Sequence, residues 1–138
     1  MRTRLAAVVG TLVLGAGLVV NAPAAHAADP VTKFDVTYGN TYTRGTITWH
    51  NRSVTVAGEQ KSVSSTSCRG TTAFTLDSHD KKLALAFTSR TCGISERFDP
   101  FVVSADVPGG AAVVRICLDD GKIPATYYSC KRYGRPSN

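Results

Sequence analysis

Four cysteines, Cys68, Cys92, Cys117 and Cys130, constrain this chain more than any other feature it carries. They follow an export leader, and an even count outside the cytosol reads as two disulfides. Four cysteines allow three pairings. Chain order favours Cys68–Cys92 with Cys117–Cys130, because consecutive elements tend to be neighbours in space. Closing these two loops would stabilise the fold by about 3 kcal/mol each through the unfolded chain. Zinc is the rival use of four cysteines, but no Cys-x-x-Cys spacing occurs, and neither a metal nor any other cofactor is expected.

The leader occupies residues 1–27. Arg2 and Arg4 precede an apolar run over residues 5–20, and Ala25-His26-Ala27 supplies the small-x-small pattern that signal peptidase accepts. The run is short for a bilayer span, which needs roughly 20 residues. No Arg-Arg pair and no cysteine sits near the cleavage point, so general secretory export of an extracellular protein is expected, with no membrane attachment after cleavage. Residues 28–130 then form one domain and residues 131–138 a basic, frayed tail. The mature chain has 14 Lys and Arg against 10 Asp and Glu, a net of +4. That is too small and too dispersed to argue for nucleic acid.

Between the cysteines the chain alternates. Phe34, Val36 and Tyr38 alternate with Lys33, Asp35 and Thr37, the period of a half-buried strand, and Gly39-Asn40 follows as a turn. In GTITWHNRSVTVAG (residues 45–58), Ile47 and Trp49 share one parity while Val54 and Val56 have the other. A straight strand cannot aim both pairs at one core, so a turn or bulge is required over residues 50–53. Trp49 reads as core and His50 as a packed or solvated imidazole. Asn51-Arg52-Ser53 fits a glycosylation sequon by accident of composition.

Residues 68–92 read as a hairpin with Asp77-Ser78-His79-Asp80 at its tip. Facing Leu76 with Leu83 and Phe74 with Leu85 would set Cys68 against Thr91, one residue short of Cys92. A Cys68–Cys92 bond therefore requires a bulge or a strand end between Phe87 and Cys92. Over residues 98–118, a two-residue turn at Pro108-Gly109 would pair Ala105 with Ala112, Val103 with Val114 and Phe101 with Ile116, the pattern of a second hairpin. Residues 123–130 are the last strand candidate. A tight turn at Asp120-Gly121 would place Cys117 opposite Pro124, so its pairing with Cys130 needs a wider loop, or a last segment that folds back before it pairs. No helical period is visible after the leader. The fold class is all-β: a single-domain antiparallel β-sandwich, Ig-like in style, of seven to nine short strands with two disulfides, and a small closed barrel as the alternative.

Chemistry is sparse. The Asp77-Ser78-His79-Asp80 string reads as an ordinary hairpin tip, since a triad needs converging side chains and a separate oxyanion hole. Asp35, Glu59, Glu96, Asp99, Asp119 and Asp120 show no spacing that selects a carboxylate pair, so no catalytic residue is assigned. Ligand binding has candidates in Tyr127, Tyr128, Lys131, Arg132 and Tyr133, where tyrosines that can stack on sugars interleave with cations that attract anionic polymers. The expectation is a monomeric, non-enzymatic binding protein. Its partner would be an anionic wall polymer, a polysaccharide or an extracellular protein, with an inhibitor of a hydrolase or small toxin as the alternative and a small hydrolase third.

The leader, the four cysteines and the strings GTITWHNRSVTVAG and VPGGAAVVRICLDDG together resemble the small secreted β-rich proteins of Streptomyces-type actinobacteria. The resemblance is one of style over the whole chain. It implies an exported β-fold, no particular activity and no site residues. The subtilisin-inhibitor family shares the length and the two disulfides but not the cysteine spacing.

Overall fold

Alternation becomes eight strands: β1 (Val31–Tyr38), β2 (Thr41–Trp49), β3 (Ser53–Lys61), β4 (Gly70–Leu76), β5 (Lys82–Phe87), β6 (Ser95–Ser104), β7 (Val113–Asp119) and β8 (Tyr127–Gly134). The structure is a computed structural model that describes residues 22–24 and 26–137. Most of the expected leader, residues 1–21 and 25, lies outside the described residues. Strands order as β1-β2-β3-β6 in one sheet and β5-β4-β7-β8 in the other, every neighbouring pair antiparallel. Phe34, Val36, Ile47, Trp49, Val54, Val56 and Val103 from the first sheet meet Ala73, Val114, Ile116 and Leu118 from the second in one buried core. This is the expected antiparallel sandwich.

The parity break in residues 45–58 is a hairpin. Trp49 faces Val54 and Ile47 faces Val56, with the His50 N–H closing onto the Ser53 carbonyl at 3.0 Å. Trp49 is fully buried, and its indole N–H donates to Thr32 Oγ1 at 2.9 Å, which removes the cost of hiding that donor. Gly45 and Gly58 face each other across β2 and β3. A Cβ on Gly45 would come within 2.0 Å of the Ala57 carbonyl oxygen, so only glycine allows the strands this approach.

The hairpin expected over residues 98–118 is not one. Val103, Ala105, Val114 and Ile116 are buried in the core as expected and Phe101 packs against it, whereas Ala111 takes the place expected of Ala112. But β6 pairs with β3 and β7 with β4, so the chain crosses from one sheet to the other at this turn. Ala105 N–H donates to Arg52 O at 2.8 Å and Ala112 N–H to Leu76 O at 3.0 Å, each within its own layer. Gly109 and Gly110, at φ of 82° and 70°, allow the crossing. Alternation reports which side of a strand is buried; it is silent on whether the facing apolar row lies beside the strand or across the core.

Both disulfides form as chain order favoured, Cys68–Cys92 and Cys117–Cys130. Two disulfides belong to an oxidising environment. β5 ends at Phe87, and the pairing shifts by one residue between Thr72↔Phe87 and the isolated bridge Arg69↔Thr91, which sets Cys68 against Cys92. The strand break that the pairing required is therefore present. Cys117 stands directly opposite Cys130, with a wide loop over residues 120–126 between β7 and β8. That loop takes up Ile123 and Pro124, so the last strand starts at Tyr127 and not at Ile123. It then runs beyond Cys130 to Gly134. The expected fraying is corrected for residues 131–135: Arg135 is also fixed, its Nε donating to Ala111 O at 2.9 Å.

One side of the sandwich is laced shut. Lys131 Nζ donates to the Asp35 carbonyl at 2.8 Å, Asp35 N–H donates to Tyr133 Oη at 3.1 Å, and the Tyr133 ring packs edge-on to Phe34. On the other side a polar plug replaces apolar packing. Gln60, fully buried, accepts at Oε1 from the Thr71 and Thr88 hydroxyls at 2.8 and 2.9 Å. Its Nε2 donates to Ser89 O and Thr91 Oγ1 at 2.7 and 2.9 Å. All four hydrogen-bonding positions of the amide are filled.

Candidate functional site

β4 is buried along its whole length, so both of its faces are covered. On the core side lie Thr71, Ala73 and Thr75, matched by Ala84 and Ala86 of β5. The larger residues Phe74 and Leu76 point away from the core and form a separate small cluster with Cys117 and Val113. The apolar parity of the 68–92 hairpin thus faces outward. Phe74 does face Leu85 as the sequence suggests, but a shift at Thr75/Leu76 puts Lys82 rather than Leu83 opposite Leu76. Small side chains inside let this sheet close onto Trp49, and the bulk goes to the other surface.

That outer surface keeps much of its apolar area in water. Leu85 is 43% exposed, Phe87 52%, Tyr127 45% and Ile123 80%. Together with Thr72 and Pro124 they line a hollow of about 330 Å³. Tyr127 meets Phe74 edge-on at 5.7 Å, and the Arg115 guanidinium carbon lies 4.3 Å from the Phe74 ring centre. Clustered apolar exposure of this kind marks a recognition surface more than scattered single residues do.

The loop over residues 120–126 forms one wall and is braced from within. The Cys117–Cys130 bond closes its base. Asp120 N–H donates to Thr126 O at 3.1 Å, and Asp120 Oδ1 accepts the N–H groups of Lys122 and Thr126 at 3.1 and 3.0 Å. Partial burial works to raise the Asp120 pKa, but these bonds outweigh it and hold the carboxyl below its ordinary range. Asp119, beneath the loop, is buried. Its Oδ2 accepts from the Thr72 hydroxyl and its Oδ1 from the Gly121 N–H, both at 2.7 Å.

Burial raises the Asp119 pKa despite those two bonds. A carboxyl raised on folding stabilises the native state fully below its unfolded pKa, and that contribution is lost as pH climbs through the folded value. Asp119→Asn removes the charge, with the amide oxygen still able to accept from Gly121. In urea melts, the wild-type protein should lose stability relative to Asp119→Asn between pH 3 and neutrality. Parallel curves for the two proteins would show that the charge is fully compensated.

Two other arrangements offer chemistry. Between the ends of β5 and β6 an open cleft of about 460 Å³ has Gln60, Thr88 and Thr91 at its floor. Phe98 and Phe101 stand in its wall 5.8 Å apart, beside Glu96 and Asp99. Glu96 Oε2 accepts from the Thr91 hydroxyl at 3.1 Å, and the plug residues already satisfy one another. At the opposite end, His50 contacts Asp29 through Nδ1 and Thr55 Oγ1 through Nε2 at 2.8 Å, a carboxylate–imidazole–hydroxyl series. Thr55 sits mid-strand and is paired on both sides, to Thr48 and to Val102. With Trp49 N–H on Pro30 O at 2.9 Å, the series clasps the residues ahead of β1.

The residues singled out in the sequence separate. Tyr127 lines the hollow, whereas Tyr128 stacks on Tyr38 and has the Arg69 guanidinium carbon 4.3 Å from its ring centre. Lys131 and Tyr133 lace β8 to β1, and Arg132 pairs with Asp80 on the outer face. The five do not form one site. At the 77–80 tip, Asp77 Oδ1 accepts the N–H groups of His79 and Lys81 at 2.8 and 2.9 Å, which lowers its pKa and makes it a turn former. Asp35 and Glu59 flank Arg44 at 3.9 and 4.0 Å. Leu85, Phe87 and Ile123 escaped sequence reasoning. The signal was there in Lys122-Ile123-Pro124, an aliphatic residue set between two turn residues inside a cysteine-bounded loop. Compared with protein-family models, curated proteins and solved structures, the chain gave no match.

Proposed function

We propose that this is a secreted, non-enzymatic recognition protein that holds another extracellular protein against the outer face of its second sheet. The observation that carries the reading is Ile123, 80% exposed at the crest of a loop closed by the Cys117–Cys130 bond. A braced loop loses little freedom on binding, and an aliphatic knob beside aromatic neighbours is the form that binding anchors take. The leader and the two disulfides support export.

A polysaccharide would be held by a row of aromatic platforms with polar groups between them. Here Phe87 and Tyr127 share the hollow with Leu85 and Ile123, and Tyr38 is occupied by its stack on Tyr128. A secreted hydrolase is one partner of the right kind, which makes an inhibitor the particular form of this reading. Lys122 N–H turns inward onto Asp120. The loop would therefore enter a partner's pocket as a knob, not as an extended substrate mimic.

The test has two arms. Pull-down on insoluble peptidoglycan, chitin and cellulose should retain nothing, while titration against purified extracellular proteases and amylases should find a partner bound at one to one. Ile123→Asp should weaken that complex by about 30-fold or more, the scale of an anchor residue. Retention on any of the polymers, unchanged by Ile123→Asp, would sink the protein-recognition reading.

A further inference from the structure

The mature chain's charge is divided between its two layers. Residues 62–94 and 107–138, which build the second sheet and its loops, contain nine Lys and Arg against four Asp and Glu. Residues 28–61 and 95–106, which build the first, contain five against six. The acids of the second layer are also committed. Asp77 forms the hairpin tip, Asp119 is buried, Asp120 braces its loop and Asp80 pairs with Arg132. Three of the nine cations are committed too, Arg69 by burial, Lys131 to Asp35 O and Arg135 to Ala111 O, which leaves this layer six cations against four acids, with Lys122 at the hollow itself.

At its centre two like charges face each other. Arg115 of β7 is the direct cross-strand partner of Arg132 of β8, on the same outward face as Phe74. Like charges in that position repel, and a sheet keeps them only where something offsets the repulsion. Arg132 has Asp80. The Arg115 side chain has no ion pair and no hydrogen bond among the described residues, and its Nε is shut away from solvent without a partner. Its guanidinium lies against the Phe74 ring, which in turn meets Tyr127 edge-on and is the cross-strand partner of Leu85.

We infer that Arg115 and Arg132 hold a carboxylate of the partner, next to the hollow that takes the partner's apolar side chain. The occupant is an acidic segment of an extracellular protein with an aliphatic or aromatic residue beside its Asp or Glu. A guanidinium matches a carboxylate with two parallel hydrogen bonds, here from the two Nη groups of Arg115 because its Nε is buried, and the same carboxylate adds to Asp80 as a counter-charge for Arg132. A phosphate polymer could satisfy the charge, but it brings no side chain to cover Leu85, Phe87 and Tyr127. The inference rests on the protein-recognition reading above.

The probes are an N-acetylated, amidated peptide alternating Glu with Leu and Phe, its Gln-for-Glu counterpart, inorganic phosphate and poly(glycerol phosphate). They are titrated into isotope-labelled protein while the arginine Nε–H and aromatic ring signals are followed. The acidic peptide should shift Arg115, Phe74 and Tyr127 together and bind at least tenfold tighter than the Gln peptide. Arg115→Met keeps a long stem over Phe74 and should weaken it by tenfold or more. Lys33→Met, on the exposed face of β1 with the same change in net charge, should alter it by less than twofold. Equal binding of the two peptides, or equal losses for Arg115→Met and Lys33→Met, overturns the carboxylate site. So does tighter binding of either phosphate probe with the ring signals unmoved. Thermal melts of each variant separate lost binding from lost folding. If the Ile123-dependent complex forms normally with Arg115→Met, the carboxylate site fails and the recognition surface stands.

Discussion

Replacing Gln60 with leucine is expected to destabilise the protein by about 3 kcal/mol, although it trades a polar side chain for an apolar one of similar size in a buried position. The reason lies in what the amide serves. It is the shared partner of Thr71, Thr88, Thr91 and the Ser89 carbonyl, all gathered where the two sheets diverge. Leucine would leave the hydroxyls of three buried residues, Thr71, Thr88 and Thr91, without this partner. Thr71 and Thr88 can partly re-pair, since the Thr71 N–H already donates to Thr88 Oγ1 at 3.0 Å; the Ser89 carbonyl loses its donor outright. Thr43→Val is the contrast. It removes one hydroxyl, 2.7 Å from Thr71 Oγ1, and leaves the amide's four bonds in place, so a loss near 1 kcal/mol is expected. Urea denaturation of the two variants decides the matter. Equal and small losses would mean that the plug is ordinary packing.

Removing the Cys68–Cys92 bond by double substitution to alanine should cost about 3 kcal/mol and lower the melting temperature by roughly 10 °C. The bond closes a separation of 24 residues, but its local effect matters as much. Between the end of β5 and Cys92 the backbone-to-backbone bonds among the described residues are the bridge at Thr91 and the Thr88 N–H to Thr71 O bond, yet this segment supplies three of the four groups that hold Gln60. The disulfide and the amide thus secure one segment from two directions. Their losses should not add: the combined variant should fall short of the summed single effects by more than 0.5 kcal/mol, as groups sharing partners do. Strict additivity in a double-mutant cycle would show that they act independently.

The contrast between these residues shows what was legible in the sequence. Period-two alternation located the strands, parity located the turn after Trp49, and a one-residue mismatch between Cys68 and Cys92 located the end of β5. These are local quantities, set by side-chain direction along one strand. Which layer a strand joins is not local. Val103 and Val114 look like hairpin partners and are buried in one core, but they face each other from different sheets. The same gap concealed the surface. Phe74, Leu85 and Phe87 carry the pattern of a core face, and only the assembled sandwich shows that Ala73, Ala84 and Ala86 occupy it instead. Tyr127 and Arg132 were found because an aromatic beside a cation is conspicuous; Arg115 was not, because its meaning comes from the residue across the ladder.

The route of the chain between its layers also sets an order in time. Emerging from its N-terminus, the chain can form β1, β2 and β3 as a meander from consecutive residues, and β4 with β5 as a hairpin. Neither assembly is complete. The free edge of β3 waits for β6, and that of β4 for β7, strands that arrive together on either side of the crossing turn at Val107 to Gly110. Distant pairings of this kind are slow, and the unpaired edges stay open to other chains until they form. Residues 95–119 therefore work as a late-arriving clasp. How quickly they dock decides how long each newly made molecule is exposed to aggregation.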